Sequence, residues 1–251
     1  MKKIIYILAM IIGTTVHAQQ KTIVIAMEDG WAPYAMLDSR GESVGIGTEL
    51  IREIFLATGW KIEMAPYPFF MAEVQCIRGK VDVYANTLMS EALVPKLHFP
   101  TTPLFINYDV IWGNSQRNDV VFKNLENLRG KKVGVVRGYP YSDDFMAATF
   151  FEKVEYDSTD ENIEALIANK VDAIIEDRAV MKYTLKKMKK QAAIKELGAQ
   201  HENPVFIGIT KAADANKKGK DFHERIKLDY EKGLEIIKKN GKYDAIFKKY
   251  E

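Results

Sequence analysis

The chain has one cysteine, Cys76, among 251 residues, and four histidines, none of them spaced as a metal-binding pair. A single thiol excludes an internal disulfide and any zinc site of the cysteine type. Cys76 lies in an amphipathic stretch, where it suits the role of a small buried apolar residue. There is no Gly-x-Ser-x-Gly elbow and no phosphate loop, and Gly45-Ile46-Gly47 lacks the third glycine of a dinucleotide fingerprint. No cofactor, no metal and no catalytic residue is expected. The adjacent carboxylates Asp143-Asp144 and Glu28-Asp29 read as helix-start charge or solvated turns rather than as acid–base machinery.

A long apolar run is missing as well. The stretch Ile4 to Ile12 is apolar but for Tyr6, too short to span a bilayer. It follows Lys2-Lys3 and precedes small residues ending at Val16-His17-Ala18, the pattern of a secretory signal cleaved near Ala18. No cysteine follows at a lipid-anchor position, so the expected location is a periplasm. Removing residues 1–18 takes away two lysines and no acid, so 36 basic residues become 34 against 34 acidic ones. A mature net charge near zero gives no reason to expect nucleic acid or an anionic membrane as partner. The lysines at 182, 186, 187, 189 and 190 read as a solvated helix face.

What the chain does contain is an α/β alternation, twice. Lys21 to Met27 reads as a strand, Thr48 to Thr58 as an amphipathic helix closed by Gly59, and Trp60 to Met64 as a second strand. Phe69 to Arg78 reads as a helix and Val81 to Tyr84 as a third strand. The pattern restarts with a strand at Lys132 to Val136 and a helix at Ser142 to Thr149. A short strand at Val154 to Tyr156 follows, then a helix opened by the box Ser158-Thr159-Asp160-Glu161. A strand at Val171 to Ile175 and a helix at Asp177 to Lys190 complete the second unit. Two apolar segments, 105–112 and 203–210, read as chain crossings. The expected architecture is two lobes with parallel-rich sheets joined by a two-stranded hinge: 19–108 with 207–251 in one lobe, 109–206 in the other. In such sheets ligands sit beyond the carboxyl ends of the strands, so the facing ends line one cleft.

Several residues at those ends suit binding rather than catalysis. Trp31 and Tyr34, around Pro33, either offer flat apolar faces to a ligand or pack as a turn. Arg137 either grips a carboxylate bidentately or pairs with Asp143 or Asp144. Gly138 lets backbone N–H groups approach an anion. Asp177 follows a buried strand and needs a partner: a ligand ammonium, Arg178 or a backbone N–H.

Four stretches, in order, resemble the family 3 extracellular solute-binding proteins, the periplasmic receptors of polar amino-acid ABC importers. They are "EDGWAPYAMLDSRGESVGIGTELIREI", "KKVGVVRGYPYSDDF", "NKVDAIIEDRAVMKY" and "NGKYDAIFKKY". The resemblance implies two lobes closing on a small ligand, an importer permease as partner, and a monomer. It also implies Asp177 as the acid for a ligand ammonium and Trp31 and Tyr34 as an aromatic wall. Gly138, Tyr139 and Ser142 fall in the turn that meets the ligand's carboxylate. The chain departs from the family at two places: Leu93 stands about where the carboxylate-clamping arginine belongs, and Gly47 where an aspartate belongs. The second lobe is therefore expected to supply the main polar recognition, through Asp177, Arg137 and the turn from Gly138 to Ser142. The first is expected to supply apolar surface from Trp31, Tyr34 and Phe69, with Asn86, Thr87 and Ser90 as hydrogen-bonding groups. Ordinary amino acids should then bind weakly, or a ligand with a larger apolar part be preferred. An orphan receptor or sensor without an importer, or a cyclohexadienyl-acid dehydratase on the same fold, are the alternatives.

Overall fold

The computed structural model describes residues 22–212 and 220–250, apart from the side chains of Phe69, Phe70 and Lys220. The expected signal and its cleavage site lie outside the described residues.

The first half is built as β1 (Thr22–Asp29), β2 (Met36–Leu37), β3 (Ser43–Val44), α1 (Ile46–Ala57), β4 (Lys61–Pro68), α2 (Phe69–Ile77) and β5 (Val83–Leu88). β6 (Leu97–His98) then leads into β7 (Phe105–Asn114). The second α/β unit is β8 (Lys132–Val136), α3 (Asp143–Ala147), β9 (Glu152–Tyr156), α4 (Thr159–Ile167), β10 (Ala173–Asp177) and α5 (Arg178–Met188). β11 (Ile194–Thr210) returns the chain, and α6 (Lys220–Lys239) and α7 (Lys242–Tyr250) close it. The hydrogen-bonded order is β4-β1-β5-β11-β7-β10-β8-β9, with β6 on β11. β1 runs parallel to β4 and β5, and β8 runs parallel to β9 and β10. Long antiparallel β7 and β11 connect the two parallel groups, pairing from Phe105↔Val205 to Asn114↔Ile194. The two sheets expected from the sequence are thus halves of one hydrogen-bonded path, and the two crossings are its middle strands.

The second crossing begins nine residues earlier than its apolar stretch suggests, at Ile194 rather than Asn203. Its first part is polar and half-exposed, with register shifts between Glu196 and Gly198 and between Ala199 and His201. β7 supplies the hydrogen-bonding partner that this polar stretch does not advertise. The helix after β8 is shorter than expected, five residues, because the chain passes into extended backbone at Ala148. Ser158 caps α4 by accepting from the Glu161 N–H, while the Glu161 carboxylate takes the N–H of Asp157.

Each half has its own core. Ile23, Ile25, Leu50, Ile54 and Phe55 pack with Phe222, Ile226, Tyr230 and Leu234, so α6 returns to the first half as expected. In the second half Val133, Val135, Phe145 and Ile175 form one cluster, and Trp112, Ile163, Leu166, Ile174 and Met181 another. Each large aliphatic or aromatic side chain so buried contributes about 1.5–3 kcal/mol. Cys76 is buried and free, its thiol on the Gly208 carbonyl, in the structural role expected of it.

The start of α1 depends on Gly45. It holds φ near 123°, and a Cβ there would lie 2.4 Å from the Tyr34 carbonyl oxygen. Its N–H donates to the Tyr250 hydroxyl at the far end of the chain, which in turn donates to Glu49. The final tyrosine of α7 therefore fixes the first helix. Gly45→Ala is expected to destabilise the protein by roughly 1–3 kcal/mol, read as a lower midpoint in urea unfolding.

Candidate functional site

The strand ends of the two halves face one another across a cavity of about 490 Å³, a size suited to a small ligand. Both halves line it. Trp31, Tyr84, Asn86, Thr87, Ser90 and Leu93 come from the first, and Gly138, Tyr139, Pro140 and Asp177 from the second. Asn107, Asp109 and Asn203 come from the connecting strands.

Asp177 is the last residue of β10 and the N-cap of α5. Its Oδ1 accepts from the N–H groups of Ala179 and Val180, each at 2.9 Å, and from the Tyr34 hydroxyl at 2.9 Å. Oδ2 has only the same hydroxyl, at 3.1 Å. The carboxylate is 3% exposed, and burial pushes its pKa up to about 6 against these hydrogen bonds. Of the partners considered from the sequence, the backbone N–H groups are the ones used. Arg178 turns away to Glu196 and lies over the Tyr108 ring.

Tyr34 takes a different place from the one expected. It is buried, its ring stacked on Phe105 at 4.8 Å, and its side chain does not line the cavity. Its hydroxyl instead crosses from the first half to hold Asp177. Trp31, tilted against Tyr34 at 4.5 Å, does line the cavity.

Arg137 also departs from expectation. Its side chain is 62% exposed and pairs with Glu155 and Asp157, not with Asp143 or Asp144, and it does not line the cavity. β9 runs parallel beside β8 and places Glu155 within reach, a neighbour that linear sequence does not show. Ser142 is likewise turned aside: its hydroxyl donates to Asp144 and meets the Gln200 amide oxygen. Gly138 and Tyr139 reach the cavity, as do Asn86, Thr87 and Ser90. Phe69 opens α2, but its side chain lies outside the described residues.

Asn86 explains the glycine at position 47. It sits at φ 59°, a region asparagine tolerates better than most residues, and its amide lies against α1. A Cβ on residue 47 would come 1.9 Å from the Asn86 Oδ1. Asn86 occupies the space that a side chain at position 47 would need.

Sequence reasoning missed two acids. Asp109 interrupts the apolar run of β7, 6% exposed, and accepts from the Asn203 amide at 3.1 Å. It pairs across the ladder with Asp177, and burial raises its pKa. A charge inside an apolar strand was the signal available for it. Glu28, which the sequence places in a solvated turn, is 2% exposed, with Tyr84 donating to Oε2 at 3.4 Å and Oε1 without a partner. Burial pushes its pKa up to about 8. The strand continues further than its apolar alternation implies, and this carries Glu28 under the cleft. The first half is thus not the mainly apolar wall expected from its sequence. Asp144, by contrast, serves the start of α3 as expected, accepting from the Phe145 N–H. Among the described residues, no cluster of side chains is arranged to hold a metal.

Residues 23–98 match the model of the bacterial extracellular solute-binding proteins, family 3. The histidine-binding periplasmic protein of Escherichia coli K12 is 21% identical over 265 residues, covering 100% of this chain and 97% of that one. The second substrate-binding domain of a putative amino acid ABC transporter from Streptococcus pneumoniae superposes with a TM-score of 0.74 at 21% identity, over 91% of this chain and 99% of that domain. An ancestral arginine-binding protein bound to arginine gives a TM-score of 0.61 at 26% identity, over 92% and 98%. The resemblance read from the sequence stands, and the fold is the two-lobed one of periplasmic binding proteins.

Proposed function

We propose that this chain, whose residues 23–98 carry the family 3 solute-binding pattern, is a periplasmic receptor. It captures a small polar or amphipathic, amino-acid-like ligand between its lobes and presents it to an ABC importer. The observation that carries the reading is the cleft: a cavity of about 490 Å³ lined from both halves and bridged by the Tyr34 hydroxyl on Asp177. Residues 19–108 with 207–251 form one lobe and 109–206 the other. β7 and β11 connect them, so the lobes rotate about these strands while both cores stay packed, the domain closure known for periplasmic binding proteins. The relatives are named as binding proteins, and the site is read as one that binds rather than transforms its ligand. Among the described residues, no helix is long and apolar enough to cross a membrane. The protein is exported, cleaved near Ala18, and works as a monomer.

A thermal-shift screen of amines, amino acids, organic acids and short peptides tests the reading. A ligand of the folded state at about a hundred times its dissociation constant adds roughly 2.7 kcal/mol of stability. The same ligand is expected to lower the radius of gyration in solution scattering. No stabilising solute, or no compaction at saturation, would count against it. Intact-mass measurement of the exported protein is expected to give a chain beginning near Gln19; a chain retaining Met1 would refute the cleavage.

A further inference from the structure

We propose that the ligand is an organic cation with no carboxylate, an amine or guanidine held between the Asp109–Asp177 pair and Glu28. This rests on the receptor reading and narrows it.

The charge of the lining is one-sided. Glu28, Asp29, Glu73, Asp109 and Asp177 line the cavity, and among the described residues no lysine or arginine does. Asp109 and Asp177 are cross-strand partners on adjacent antiparallel strands. Directly opposed side chains lie on one face about 4.5–5.5 Å apart, and like charges there are destabilising. The neighbouring arginines are committed elsewhere, Arg178 to Glu196 and Arg137 to Glu155 and Asp157, and His201, opposite Asp109 on β11, is exposed. A ligand cation supplies the missing counter-charge.

Orphaned polar atoms point the same way. Glu28 Oε1 and Asn107 Oδ1 are buried without a hydrogen-bond partner, and both residues line the cavity. Buried polar atoms are nearly always paired, so atoms left open at a cavity are places for ligand donors. Both are oxygens, and with Glu28 ionised both accept from N–H groups. Trp31, Tyr84 and Tyr139 add ring surface that favours a cation.

A carboxylate finds little to hold it. Leu93, at the position of the expected arginine, is 7% exposed and apolar. The turn after β8 has spent three of its amides, Arg137 N–H on Tyr156, Tyr139 N–H on Val136 and Tyr141 N–H on Tyr139, which leaves Gly138 to offer a single N–H at the cavity. Pro140 has none. The first turn of α3 carries Asp143 and Asp144. The N–H groups opening α5 are taken by the carboxylate of Asp177 itself.

The test is calorimetry on the purified protein with matched pairs: histamine and histidine, agmatine and arginine, putrescine and ornithine. At least one amine is expected to bind roughly tenfold or more tightly than its amino acid. Glu28→Gln and Asp109→Asn are each expected to weaken that amine by about tenfold, and two variants guard against one failing to fold. If a carboxylated or uncharged solute binds as well as any amine, the proposal falls and the receptor reading survives. Unchanged amine affinity in both folded variants also overturns it. If no solute in the broader screen binds, both readings fall.

Discussion

Asp177→Asn is expected to weaken a cationic ligand by at least tenfold, and by up to about a hundredfold, while the protein stays folded. A charge-assisted hydrogen bond contributes about 1.5–3 kcal/mol, which is that range in affinity. The substitution separates the two functions of this side chain. As N-cap of α5, Asp177 accepts from Ala179 and Val180, and asparagine caps as well as aspartate. As a ligand group, it offers a negative charge on Oδ2, which an amide oxygen does not carry. Removing a buried carboxylate opposite Asp109 also relieves repulsion across the ladder, so the ligand-free variant is expected to melt at or near the wild-type temperature. Calorimetry and a melting curve on the same sample decide it. Tight wild-type binding of a plain polar amino acid, indifferent to this substitution, would remove Asp177 from the site.

The second large effect is a dependence on pH. Burial raises Glu28 to about 8 and Asp177 to about 6, and Asp109 is raised as well. A cation binds the ionised forms, so protons must leave before it enters. Affinity should therefore fall by up to about tenfold per pH unit below each pKa, and by at least roughly tenfold between about pH 8 and pH 5. The groups facing these acids are known. Glu28 meets Tyr84, and Asp109 meets Asn203 and lies beside His201. Asp177 meets Tyr34, with Tyr139, Glu176 and Arg178 near by.

The ligand-free protein should behave oppositely. An acid whose folded pKa is raised binds its proton more tightly folded than unfolded. Its contribution is complete below the ordinary value near 4 and is lost as pH rises through the folded value. Glu176, also buried and pushed up to about 8, adds to the same slope. Exposed acids with lowered values, such as Asp119, lose their smaller contribution only at more acid pH. His98, held below its ordinary value by burial and nearby lysines, opposes the slope weakly. Stability should drop by on the order of 3 kcal/mol from about pH 5 to pH 8, and Glu28→Gln should flatten the curve. A melting temperature that rises over that interval, in wild type and variant alike, would contradict the placement of these acids.

Much of the fold was legible in the chain. The alternation that ends at Met27, the helical face of Leu50, Ile51, Ile54 and Phe55, and the stop at Gly59 carry their own local physics, and from Thr22 onward each forms where expected. Asp177 was legible because an acid after an apolar strand must be paid for by a partner. Arg137 and Tyr34 were misplaced because their partners, Glu155 and Asp177, are distant in sequence or belong to the opposite half. Glu28 was misread because a solvated turn and a buried strand end look alike in a short window.

The division follows the range of the forces. Periodicity, capping and turn chemistry act over a few residues, so the elements, their order and the two-part architecture come from the chain itself. The acidic character of the cleft does not. Glu28, Asp109 and Asp177 are scattered through the sequence among ordinary charges. They converge because parallel packing brings β1 to the cleft floor and because β7 pairs antiparallel with β10, setting Asp109 opposite Asp177. Whether a charge is solvated, paired with an arginine or left facing a cavity depends on long-range register and burial, and those exist only once the sheet has formed.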